Sequence, residues 1–234
     1  MESSVRLSRR LQAAAEFVRD GSVVADVGCD HGKLAAYLLD SGKAAYVFAT
    51  DIREQPLEKA AALLSSRNYD RRSECVLTDG VQGLPGDRIT DVVIAGVGDD
   101  VTEKIIRDAP WLYDPGKRLV LVPSSKHERV RTFLAKEGFS VISERAVFDK
   151  GHSYTVICCC YDGVIREPDI AEKWLGGIDV LSEDGRKYAE VLQRRMSAVA
   201  EGIRDENDPA RIEAEELLSR IDSALKTAGH NVSG

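Results

Sequence analysis

The chain lacks any apolar run long enough to cross a membrane: its longest, such as Tyr154–Tyr161, fall far short of the ~20 residues a spanning helix needs. The opening stretch sets Arg6, Arg9 and Arg10 beside Leu7 and Leu11. It has neither the apolar centre nor the small-residue cleavage site of a secretory signal, so a cytoplasmic setting is expected. Cysteine is sparse and unpatterned. The five cysteines, Cys29, Cys75, Cys158, Cys159 and Cys160, include no C-x-x-C pair, which fits free thiols in a reducing compartment and argues against a disulfide framework or a zinc site. No metal is expected. Cationic excess is also missing, for the net charge is −7, without the broad basic field of a strongly nucleic-acid-binding surface. Basic residues occur only in local clusters, Arg6, Arg9 and Arg10; Arg67, Arg71 and Arg72; Lys126, Arg129 and Arg131. Each is most simply a solvated face. No internal repeat or low-complexity segment is apparent.

What the chain does have is alternation. With 234 residues, 43% of them hydrophobic, it can bury one ordinary core and carry a small appendage. After an opening helix predicted over Ser8–Arg19, strand-like runs fall at Ser22–Val27, Ala45–Thr50, Glu74–Thr78, Asp91–Ala95, Arg118–Pro123, Ser140–Phe148 and Tyr154–Tyr161. Helix-like segments between them predict a parallel sheet covered on both faces. The last two runs are joined by Asp149-Lys150-Gly151-His152, too short for a crossover, so an antiparallel hairpin is expected at the sheet edge. Seven strands finished in this way are the pattern of a class I methyltransferase sheet, an α/β Rossmann-like fold. From Glu167 the pattern becomes helical. Ser182-Glu183-Asp184 opens one helix with Tyr188, Val191, Leu192, Met196, Val199 and Ile203 on a face. Asn207-Asp208-Pro209 precedes a second with Ile212, Leu217, Leu218, Ile221 and Leu225. Two domains are expected: residues 1–165 as a cofactor-binding Rossmann-like unit and 166–234 as an α-helical hairpin. The hairpin's stripes are assigned to packing or partner contact.

The stretch Val23-Val24-Ala25-Asp26-Val27-Gly28-Cys29-Asp30-His31-Gly32 joins a strand to a glycine turn and then to a helix. A dinucleotide site would place glycines at G-x-G-x-x-G to receive a pyrophosphate on the helix N-terminus. The corresponding positions here are Gly28, Asp30 and Lys33. An aspartate at the second position repels pyrophosphate and attracts an α-ammonium; Asp26 can do the same or tie down the loop. The second strand ends at Asp51, about 20 residues past the turn, where a carboxylate can accept from both hydroxyls of a ribose. Together these features point to S-adenosyl-L-methionine. Asp79-Gly80 after the third strand is placed for an adenine amino group, and Ala95-Gly96-Val97-Gly98-Asp99-Asp100 after the fourth faces the methyl group and its acceptor, because open α/β sheets bind ligands at the carboxyl ends of their strands. Asp99 and Asp100 are the candidate catalytic carboxylates, with helix capping as the alternative. His31 has a capping role as its alternative, and Tyr154 has packing in the sheet.

The sequence resembles the bacterial tRNA (adenine-22-N1)-methyltransferases. The likeness runs through Leu7-Ser8-Arg9-Arg10-Leu11, Asp26-Val27-Gly28-Cys29-Asp30-His31, Asp51-Ile52 with Pro56-Leu57, Asp79-Gly80, Ile94-Ala95-Gly96, Arg131, Tyr154 and the helical hairpin. The resemblance implies a cofactor site lined by Asp26, Gly28, Asp30, His31, Asp51, Ile52, Asp79 and Gly80; Cys29, Ala95 and Gly96 lie in the same segments and are included. It further implies a tRNA partner gripped by a basic face and the hairpin; separately, the protein is expected to be a monomer or homodimer. This chain departs from the pattern at four places. Ala-Gly-Met-Gly-Gly becomes Ala95-Gly96-Val97-Gly98-Asp99, Gln-Pro-Asn becomes Val122-Pro123-Ser124, the glycine before Pro56 is Gln55, and Gly-Pro becomes Gly176-Gly177. Another RNA or a small molecule as acceptor, or cofactor binding without turnover, therefore stand as alternatives.

Overall fold

In the computed structural model, which describes residues 5–230, seven strands form one sheet. The strands are β1 (Ser22–Val27), β2 (Ala44–Asp51), β3 (Ser73–Leu77), β4 (Asp91–Ala95), β5 (Arg118–Val122), β6 (Phe139–Asp149) and β7 (His152–Tyr161), in the order β3-β2-β1-β4-β5-β7-β6. The first five pair in parallel. β7 inserts antiparallel between β5 and the edge strand β6. Lys150 and Gly151, both with positive φ, form the two-residue turn whose twist suits a hairpin. This is the methyltransferase sheet expected from the sequence, antiparallel edge included. β1, β4 and β5 are almost wholly buried, and β4 and β5 read as near-continuous apolar runs, because helices cover both of their faces.

Five helices flank the sheet: α1 (Arg9–Phe17), α2 (Lys33–Asp40), α3 (Glu54–Ser66), α4 (Asp99–Arg107) and α5 (His127–Lys136). One core layer packs Ala13, Ala14, Leu34, Leu38 and Leu64 against Val24, Val47 and Val120. The other packs Ile105, Ile106, Val130 and Leu134 against Ala25, Val92, Ile94 and Leu119.

Beyond the sheet lie α6 (Ile170–Trp174), α7 (Glu183–Gly202) and α8 (Pro209–His230). The short α6 was not anticipated from sequence. Its signal is local: Asp169 and Glu172 form a reciprocal capping box. α7 begins where Ser182 accepts from the Gly185 amide, as its sequence predicts. The third core layer holds Trp174, Tyr188, Ala189, Leu192, Met196, Ala214, Leu217 and Ile221, with Ala146 from β6. Val191 and Ile212, placed on the apolar stripes by periodicity, are instead exposed, because α7 and α8 meet along a narrow seam at Ala189 and Ala214. The outermost ends of the two expected domains, residues 1–4 and 231–234, lie outside the described residues.

A buried guanidinium ties the helical lobe to the sheet, alongside the more exposed ion pairs Arg9–Asp184 and Arg195–Glu128. Arg131 of α5 donates to Glu144 of β6 at 2.6 and 2.9 Å, to the carbonyls of Lys173 and Trp174 at 3.0 and 2.9 Å, and to the Tyr188 hydroxyl at 3.3 Å. The second Glu144 oxygen accepts from the Gly177 amide at 3.0 Å. The Arg131 and Glu144 side chains are 3% and 0% exposed, so removing either one strands a buried charge. Arg131→Met is expected to cost about 3–5 kcal/mol in urea unfolding, and the Arg131→Met/Glu144→Leu double variant to recover most of it. Gly176→Ala is expected to destabilise for a separate reason: its φ is +58°, and an added Cβ would lie 2.1 Å from Glu144 Oε2. The same unfolding curves measure it.

Candidate active site

The carboxyl ends of β1, β2, β3 and β4 open on one crevice of about 540 Å³. Its lining includes Gly28, Asp30, Asp51, Ile52, Asp79, Gly80, Ala95 and Gly96. A smaller recess of about 100 Å³ adjoins it through Arg10, Gly28, Asp30 and Ala95, and holds Asp26, Cys29 and His31. All eleven residues expected at a cofactor site thus line one connected space.

Backbone conformation makes that space. Gly28, Asp30 and Gly32 all have positive φ, at 70°, 52° and 67°; an aspartate in the left-handed region is uncommon and tends to persist only where surrounding structure enforces it. The Gly28 and Cys29 amides both donate to Thr50 O at 2.9 Å, which pins the turn to the end of β2. The Thr78 amide donates to Asp51 O at 3.0 Å and Thr50 Oγ1 to Gly80 O at 2.8 Å, so the β3 loop is tied to the same strand end. Gly80 is required by close approach, for an added Cβ would sit 2.9 Å from Ile105 of α4.

Carboxylates dominate the lining. Asp26 is 3% exposed. Among the described residues one of its oxygens has no hydrogen-bond partner, and burial raises its pKa to about 7, opposed by the Ala35 amide near the start of α2. Asp51 is also buried; its Oδ1 accepts from the Arg53 amide at 3.0 Å and from Arg53 Nε at 3.3 Å. Ile52 beside it is 67% exposed, a bare apolar side chain on the crevice wall. Asp79 is half exposed and pairs with Lys104 at 2.7 Å. Burial, then the Asp26 charge, pushes the Cys29 thiol well above its ordinary value, so it stays protonated and unreactive.

Asp99 and Asp100 are not on the crevice lining. α4 begins at Asp99, so both occupy its first turn rather than cap it; the N-cap is Gly98. Arg129 of α5 holds both, at 2.9 and 3.0 Å. Arg10 is the residue that sequence reasoning left without a role in the site. It lines crevice and recess alike, its guanidinium lies 4.8 Å from the centre of the Tyr154 ring, and among the described residues it has no ion-pair partner. Its only signal in the sequence is its place in the Leu-Ser-Arg-Arg-Leu segment. A second cavity of about 370 Å³ at the lobe seam is lined by Arg131 and Glu144, which already satisfy one another.

A family model described as a methyltransferase domain matches residues 7–157. The chain belongs to that methyltransferase family. The tRNA (adenine(22)-N(1))-methyltransferase of Bacillus subtilis is 27% identical to it over 169 residues, 69% of this chain and 71% of that protein. The solved m1A22 tRNA methyltransferase of Bacillus subtilis shares the fold at TM-score 0.76, with 22% identity over 95% of this chain and 98% of that one. A Streptococcus pneumoniae structure in complex with S-adenosyl-L-methionine does so at TM-score 0.79, with 20% identity over 94% of this chain and 100% of that one. Within this methyltransferase the matched segment ends in β7, so the family region holds the whole crevice and stops short of the helical lobe. Among the described residues no cluster of His, Cys, Asp and Glu could hold a metal ion, and no helix is long and apolar enough to cross a membrane.

Asp26 makes the folded state sensitive to pH. Its carboxyl titrates near 4 when unfolded and at about 7 when folded. Between those values the folded form binds the extra proton, so stability falls as pH rises from about 4 to about 7 and is constant above. Asp26→Asn is expected to remove that slope. The variant should match wild type near pH 4 and exceed it at pH 8 by up to about 4 kcal/mol, read from denaturant unfolding at both pH values.

Proposed function

We propose that this chain is an S-adenosyl-L-methionine-dependent methyltransferase that acts on N1 of an adenine in tRNA. The observation that carries the reading is the crevice itself: carboxylates at the ends of successive strands, set around a glycine turn, with one buried Asp26 oxygen unpartnered and facing the recess. The tRNA part rests on the Bacillus subtilis relative, and a cytoplasmic setting goes with that substrate.

The residues fit the cofactor. Asp26 would hold the α-ammonium, which satisfies its orphaned oxygen and compensates its buried charge. Arg10, set over the Tyr154 ring and without an ion-pair partner among the described residues, would hold the methionyl carboxylate. Asp30, His31 and Cys29 wall that end. Asp51 would accept from the ribose hydroxyls, Ile52 would lie against the purine, and Asp79 with Gly80 would border its amino edge. Ala95 and Gly96 would face the sulfonium. The acidic lining suits a cationic ligand and disfavours a pyrophosphate. When bound, the cofactor supplies an electrophilic methyl group.

The protein's remaining task is alignment. N1 of adenine carries its own lone pair, so no base must act before transfer, and holding the two reactants in line supplies most of the effect. Neither Asp99 nor Asp100 reaches the crevice, so neither is assigned a proton-transfer role.

Labelled S-adenosyl-L-methionine with unmodified tRNA should yield N1-methyladenosine at one position, mapped by mass spectrometry. Cofactor binding without label transfer would overturn the reading in favour of another acceptor or a non-catalytic role. Asp51→Ala is expected to weaken cofactor binding at least about tenfold, the effect of a lost charge-assisted hydrogen bond. In calorimetric titrations, affinity should fall as pH drops below about 7, where free Asp26 becomes protonated, and this dependence should vanish in Asp26→Asn.

A further inference from the structure

We propose that Asp99 and Arg129 are positioning residues: their ion pair ties the β4–α4 loop to the β5–α5 loop and holds the acceptor side of the crevice in one geometry. The inference rests on the methyl-transfer reading. There the nucleoside of the cofactor occupies the β2 and β3 side, which leaves the ends of β4 and β5 to the incoming base.

Few other bonds join the β4–α4 loop to the β5–α5 side, although Val97 packs on the core. Val97 stands between Gly96 and Gly98, and an added Cβ at Gly98 would meet nothing within 4 Å. Glycines on both sides of one residue leave a backbone with wide conformational freedom. Gly98 O accepts from the Thr102 amide at 3.0 Å and the Thr102 hydroxyl at 2.9 Å, which ties the loop into α4; toward the β5 side two backbone bonds run, Gly96 N to Val122 O at 3.0 Å and Ser124 N to Val97 O at 2.9 Å. The next restraint is Asp99. Its side chain is 5% exposed; Arg129 Nη1 lies 2.9 Å from Oδ2 and Lys126 Nζ 3.7 Å from Oδ1. Among the described residues that Oδ2 accepts no aligned hydrogen bond, so the contact with Arg129 is electrostatic. Arg129 Nη2 also reaches Asp100 at 3.0 Å, so one guanidinium spans both carboxylates of the first turn of α4.

The second loop is fixed at the same point. Lys126 has φ +49°, a conformation unfavourable for a side chain other than glycine, and it is held there between β5 and α5, next to the carboxylate its ammonium faces. Releasing Asp99 would therefore loosen both loops together. The crevice lining from the loop, Gly96 and Val97, which meets the methyl end of the cofactor and the acceptor, would lose its alignment, while the contacts on β1, β2 and β3 that hold the rest of the cofactor would remain.

The test compares Asp99→Asn, Arg129→Gln and their double variant, with Arg129→Lys as the conservative control, in full-length protein with labelled S-adenosyl-L-methionine and tRNA. Each single change is expected to lower kcat about ten- to a hundredfold, the cost of a small misalignment. Cofactor Kd should stay within about twofold, the double variant should be no slower than the worse single one, and Arg129→Lys should recover part of the rate. Unchanged kcat in either single variant, multiplicative losses in the double, or a kcat loss that comes with equal loss of cofactor affinity would each overturn the proposal. Hydrogen–deuterium exchange of residues 96–101 and 123–127 separates this from failure of the functional reading. Even if wild type modifies no tRNA, both single variants should speed exchange in both segments, and exchange rising in only one segment or in neither would sink the tether.

Discussion

A buried guanidinium must be paired on every side, and Arg131 is the point at which this requirement organises the molecule. It sits on α5, takes its counter-ion from β6, and spends its remaining donors on the carbonyls that end α6 and on a tyrosine of α7. Four elements converge because none of its N–H groups can be left in an apolar interior. The pairing also explains the glycine at 176, which leaves no Cβ to intrude on the ion pair. A hydrophobic seam would bury as much area but would tolerate sliding; a forked, charge-assisted set of bonds admits one orientation.

The helix that carries Arg131 faces two ways. On one side His127 stacks on Tyr188, with burial lowering its pKa to about 4 so that it stays neutral, and Glu128 meets Arg195. On the other, Lys126 and Arg129 meet the first turn of α4. The seating of the helical lobe and the geometry of the crevice mouth are thus set by one rigid element. The crevice gathers negative charge while the chain as a whole carries −7, so a polyanionic partner gains no long-range attraction from net charge, and local arginines and lysines must supply the grip.

Much of the crevice was legible in advance, because its chemistry lies at strand ends. A strand that stops at a glycine and a carboxylate, repeated along the chain, places those groups on one side of a parallel sheet whichever helices intervene. Asp26, Gly28, Asp51, Asp79 and Gly96 follow from that rule alone. Arg10 does not. Its partner Tyr154 is remote in sequence, and only the insertion of β7 beside β5 brings the two together. Asp99 shows the converse. Its position after β4 suggested the crevice, yet the turn into α4 directs its side chain toward Arg129, since a buried carboxylate goes to the available cation.

By itself the sequence determined the strands, the antiparallel edge, the two long helices and the glycine and aspartate signature of the crevice, for each depends on periodicity or turn chemistry within a few residues. Tertiary structure decided the short α6, the exposure of Val191 and Ile212, the Arg131 and Glu144 pair, the place of Arg10 and the direction of Asp99. All of these depend on which distant elements lie side by side. Local pattern fixes which face of an element is buried; only the packed chain fixes what it is buried against.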